Sequence, residues 1–68
     1  MTNDEIKTAL KKKQKIRHRG IVYERAQAWR VAIDIRGEWI SSLELVDREN
    51  RLVIARADEC EVVEKVRL

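Results

Sequence analysis

The sequence predicts a single, mostly β domain with one N-terminal helix, its strands curled into a small barrel. Three observations carry this expectation. A capped, amphipathic segment opens the chain, short β-branched runs alternate at period two after Gly20, and turn-forming residues punctuate those runs. With 68 residues the chain is one domain, near the lower size limit for folding without staples. Cys60 is the only cysteine, so packing or association has to replace disulfides. The expected division is a helix within residues 1–14 and a β-barrel over residues 15–68.

The helix is expected over about residues 3–13. Thr2-Asn3-Asp4-Glu5 has the form of a capping box, in which the Thr2 hydroxyl and the Glu5 carboxylate each take the other's backbone amide. Asp4 and Glu5 lie in the first turn and Lys11, Lys12 and Lys13 in the last, the arrangement the helix dipole favours. Ile6, Ala9 and Leu10 form a stripe too narrow to stabilise a helix alone, so it has to dock on the rest of the chain.

Five strands are expected after it: Ile16–His18, then 21–35, 38–46, 51–56 and 61–66. In the second, Trp29, Val31, Ile33 and Ile35 alternate against Ala28, Arg30, Ala32 and Asp34. The alternation slips phase near Ala26-Gln27, which predicts a bulge. The stretch 22–29 also matches a helical stripe, and Gly20 together with the period-two pattern after Ala28 decides for strand. Arg36-Gly37 and Asp47-Arg48-Glu49-Asn50 supply reversals, and Ala57–Cys60 reads as one helical turn before the last strand. Trp29 and Trp39 flank the first reversal at mirrored distances and are expected in the core.

Gly20 and Tyr23, Glu44-Leu45 with Asp47, and Asp58-Glu59 form a pattern that resembles small, uncharacterised prophage-encoded proteins of Gram-positive bacteria. The resemblance covers residues 20–64 and implies a five-stranded SH3-like barrel of mobile-element origin. It contains no catalytic motif and implies no activity.

Charge narrows the function. Charged residues are 40% of the chain and the net charge is +3. Residues 1–19 hold seven cations against two carboxylates, a net +5, and the remainder holds eight against ten, a net −2. The basic character is therefore concentrated in the leader. Its functional reading is phosphate contact by Lys11, Lys12, Lys13, Lys15, Arg17 and Arg19, extended by Arg25 and Arg30 if they share its face. The competing reading places the lysines at a helix end and Lys15, Arg17 and Arg19 on an edge strand, where cations block aggregation. Tyr23 is the candidate contact for a base or a peptide, its other reading being a cap on the barrel end.

No catalytic triad, phosphate-binding glycine loop or paired acid can be assembled, and so small a barrel has little room for a substrate cleft. His18 lacks companions at metal-ligand spacing, and no metal, cofactor or small-molecule substrate is expected. Cys60 lies between Glu59 and Glu61, which disfavours its thiolate. The lone thiol and the absence of a secretory or membrane-spanning segment suggest a cytoplasmic protein. The expectation is a noncatalytic binding module with nucleic acid as first partner. A protein-interaction module, an inhibitor or accessory factor, is the alternative, and a homodimer through the helix is a third arrangement.

Overall fold

The computed structural model describes residues 1–63 of the chain. Helix α1 spans Asn3–Lys12, and the capping box is complete. The Glu5 amide donates to Thr2 Oγ1 at 3.2 Å, and the Thr2 amide donates to Glu5 Oε1 at 2.9 Å. Lys13 closes the helix in the left-handed region, its N–H returning to the Ala9 carbonyl. Ile6 and Ala9 are buried, and α1 packs against strand β3 (Arg25–Ile33).

Six strands form two antiparallel sheets of three. The first has the order β2-β1-β6, from β1 (Ile16–His18), β2 (Ile21–Tyr23) and β6 (Cys60–Val62). The second has the order β3-β4-β5, with β4 spanning Trp39–Val46 and β5 spanning Leu52–Arg56. The expected turn before the last strand is a 3-10 turn, Ala57–Glu59. The last strand begins one residue earlier than expected and ends at Val62, with Val63 N–H still bonded to the Lys15 carbonyl. Residues 64–66 of the expected strand lie outside the described residues.

The expectation of five strands in a closed barrel is corrected at Glu24. There the expected 21–35 strand breaks in two: β2 pairs with β1, and β3 pairs with β4. The Glu24 amide donates to the Val46 carbonyl at 2.8 Å, which ties the bend to the second sheet. Among the described residues no ladder joins one sheet to the other. The expected bulge is present: the β3–β4 register shifts between Ala26 and Ala28, leaving Gln27 as the extra residue. The helical alternative for 22–29 is excluded by the same pairings.

Between sheets and helix sits a core of Ile6, Ala9, Ile16, Tyr23, Ala26, Leu43, Leu45, Ala55, Ala57 and Cys60. Among the described residues β5 pairs with Ser42–Val46, and Trp39, Ile40 and Ser41 of β4 pair with β3 alone. The far half of the β3–β4 hairpin therefore runs past the core as a two-stranded arm. The molecule is correspondingly long, 46 × 25 × 21 Å. Trp29, at the arm's root, packs against the core and donates its indole N–H to Ser41 Oγ. Trp39 pairs with Ile33 near the tip and is 73% exposed, so the expectation that both tryptophans are core holds for the root of the arm only.

Candidate functional site

Two surfaces stand out: the basic leader and the apolar arm. In the leader, β1 is the central strand of its sheet and not an edge, because β6 returns from the far end of the chain to pair with it. This places acidic residues beside the expected phosphate contacts. Arg17 lies opposite Glu61 in the ladder, and their side chains meet at 2.9 Å. Arg19 donates to Glu59 at 2.9 Å, and Lys15 lies 3.8 Å from Glu24, which Arg48 also contacts at 3.1 Å. These exposed pairs contribute little stability. Their effect is to neutralise half of the expected phosphate-binding row.

Among the described residues, Lys11, Lys12, Lys13, Arg25 and Arg30 have no ion-pair partner. The three lysines are exposed around the end of α1, Arg25 begins β3, and Arg30 lies out on the arm. The eight basic residues singled out in the sequence are thus spread over a helix end, a paired sheet face and a hairpin. Tyr23 is 8% exposed and belongs to the core, its strand position turning the ring inward beside Ile16, so its expected role in partner contact is not supported.

On the arm, the pairs Trp29–Leu43, Val31–Ser41 and Ile33–Trp39 lie on one face, since alternate residues of a strand share a side. That face continues the core outward. Val31, Ile33 and Trp39 are more than half exposed, and Ile35 at the tip is fully so. A closed five-residue loop holds the tip: the Asp34 carboxylate accepts from the amides of Arg36 and Glu38 at 2.8 and 2.9 Å. Gly37 completes it at φ +83°, a conformation side chains resist. From Arg30 to Glu38 the arm carries Arg30 and Arg36 against Asp34 and Glu38, a balanced set. Of these exposed apolar residues only Trp39 is expected in the core from the sequence. Their exposure was legible in a mismatch of lengths, the six residues of 51–56 set against the nine of 38–46.

The remaining chemistry is sparse. A shallow depression of about 340 Å³ is lined by Lys15, Glu24, Asp47, Arg48, Glu49 and Arg51 around Ile21 and Val22, and its charges pair with one another. His18 lies 3.9 Å from Glu59. Cys60 is buried and donates to the Arg56 carbonyl at 3.2 Å. Burial first, then Glu59 and Asp58, pushes its thiol above the ordinary value. Among the described residues no three His, Cys, Asp or Glu side chains converge in a metal-holding group, and no helix is long and apolar enough to cross a membrane. Comparison with protein-family models, curated proteins and solved structures finds no match to this chain.

Proposed function

We propose that the chain is a noncatalytic protein-interaction module that docks through the apolar face of the β3–β4 arm. The observation that carries this is the row Val31, Ile33, Ile35 and Trp39, held in solvent on a hairpin whose tip is closed by hydrogen bonds to the Asp34 carboxylate. Contiguous exposed apolar side chains, tryptophan included, are the usual mark of a protein contact. The arm's balanced charge gives it no pull toward phosphates, unlike a nucleic-acid arm. The bend at Glu24 and the 3-10 turn before β6 support reading the two sheets as an opened SH3-like barrel, in keeping with the prophage-type proteins the sequence resembles.

A second reading, nucleic-acid binding, is favoured by Lys11, Lys12 and Lys13 at the helix end, which have no ion-pair partner among the described residues. One set of baits separates the two. Wild type, Ile33→Lys/Trp39→Lys and Lys11→Glu/Lys12→Glu/Lys13→Glu proteins are cross-linked in host lysate and titrated with generic duplex DNA across a salt series. The protein reading expects one identified partner on wild type and on the triple variant, and none on the arm variant. Partner capture unaffected by the arm substitutions overturns it. DNA affinity that falls steeply with salt and vanishes only in the triple variant establishes the second reading instead.

A further inference from the structure

We infer that the partner of the arm is a second copy of this chain, joined edge to edge through β3 in an antiparallel six-stranded sheet. This deepens the proposed function and rests on its use of the arm.

β3 is an edge strand among the described residues. Which of its backbone groups are free follows from the loop. The Asp34 amide donates to the Glu38 carbonyl at 2.8 Å, so Asp34–Glu38 is a hydrogen-bonded pair. Pairs alternate along an antiparallel ladder, so Ala32, Arg30 and Ala28 also bond to β4. Trp29, Val31 and Ile33 then turn their N–H and C=O groups away from β4. The same three residues carry the exposed or half-buried apolar side chains of the arm. Unpaired polar backbone and unpaired apolar surface coincide on one run of five residues.

Along that run the usual guards within the strand itself are sparse. Edge strands are ordinarily defended by lysine, proline, a bulge or an inward charge. Between Ala28 and Ile33 there is no lysine and no proline, Arg30 is the one charge, and the bulge lies before Ala28. The opposite edge, β5, is shorter, ends in Arg56 and is preceded by Arg51.

A twofold axis at Val31 satisfies both requirements. Val31 then opposes the partner's Val31, and Trp29 opposes the partner's Ile33, with Ile33 opposing the partner's Trp29. All three are hydrogen-bonded pairs, about six main-chain bonds in total. On the other face Arg30 opposes the partner's Ala32 and lies diagonally beside the partner's Asp34, within reach of a long side chain. An axis at Arg30 instead sets Arg30 against the partner's Arg30, and like charges directly opposite are disfavoured. Five residues a side is a small interface, so the dimer is expected to be weak, with a dissociation constant on the order of 10–100 µM.

Sedimentation velocity of the full chain from about 1 µM to 1 mM tests this. The expected result is a shift from an 8.0 kDa species to one of twice that mass. Val31→Lys should weaken the association about 100-fold or more, with an unchanged circular dichroism spectrum showing that it folds. Val31→Cys, in a Cα spacing a disulfide can bridge, should oxidise to a covalent dimer, while Ser41→Cys and wild type with its buried Cys60 should not. A monomer at every concentration overturns the inference, as does dimerisation that survives Val31→Lys. If that monomer still captures a different protein through the arm, only the self-pairing fails. If it captures none, the proposed function fails too.

Discussion

Asp34 and Asp47 occupy equivalent places in two hairpin loops, Asp34-Ile35-Arg36-Gly37-Glu38 and Asp47-Arg48-Glu49-Asn50-Arg51. In each, the carboxylate accepts from the amides two and four residues on, and the fourth residue adopts positive φ, +83° at Gly37 and +64° at Asn50. Asparagine tolerates that region better than other side chains do. Gly37→Asn should therefore cost only a few tenths of a kcal/mol in urea unfolding, whereas Gly37→Val should cost roughly 1–2 kcal/mol. Hydrogen bonds from the Arg51 backbone, and then from its side chain, hold the Asp47 carboxyl below its ordinary 3.8. The Thr2 backbone amide does the same to Glu5 from 4.5. Because both folded values are depressed, their contribution is complete above the unfolded values and is lost as pH falls through the folded ones. Urea midpoints should accordingly drop below about pH 4, and Asp47→Asn should flatten that drop while leaving the neutral-pH midpoint lower than wild type. The sequence marks Arg36-Gly37 and Asp47–Asn50 as reversals. The shared five-residue frame is visible only when the aspartate before each is aligned with the glycine or asparagine three positions on.

At the scale of elements, what was legible depended on whether the determinant is local. The capping box and the bulge at Gln27 are written in adjacent residues, and α1, β1 and β2 start at Asn3, Ile16 and Ile21, as expected. The centrality of β1 is not, because Arg17 acquires Glu61 as neighbour only when β6 returns across the whole chain. The bend at Glu24 is likewise set by its bond to Val46, far away in sequence. β4 shows the contrast between core and arm within one strand. Leu43 is fully buried, and Trp39, four residues earlier, is 73% exposed. Leu43→Ala should cost about 2–5 kcal/mol, a large share of the stability of a domain this small, and should lower the urea midpoint sharply. Trp39→Ala in dilute solution should change stability by about 0.5 kcal/mol or less. Paired urea melts monitored by circular dichroism at low micromolar concentration check both. A Trp39→Ala loss as large as that of Leu43→Ala would mean the arm is part of the fold's cooperative core.

For the molecule as a whole, the division of labour between charge and apolar surface sets how it responds to salt. The leader's +5 is offset where Arg17, Arg19 and Lys15 meet Glu61, Glu59 and Glu24, so the field felt by a distant phosphate is weaker than the sequence suggests. What the sequence could not show was this pairing, since the carboxylates belong to residues 24, 59 and 61 and arrive by folding. The arm, by contrast, has balanced charge and an apolar row standing off the body. Simple salt screens exposed charges over about 8 Å at physiological strength, and excluded salts such as sulfate strengthen apolar burial. The two surfaces therefore predict opposite signs. Association through the arm should tighten as ammonium sulfate rises and change little with sodium chloride, whereas association through Lys11, Lys12 and Lys13 should loosen steeply with either. Sedimentation and DNA titration in matched salt series read both on the same preparation. Self-association that weakens with sodium chloride as steeply as phosphate binding does would show that charge, and not the Val31–Trp39 face, holds the complex together.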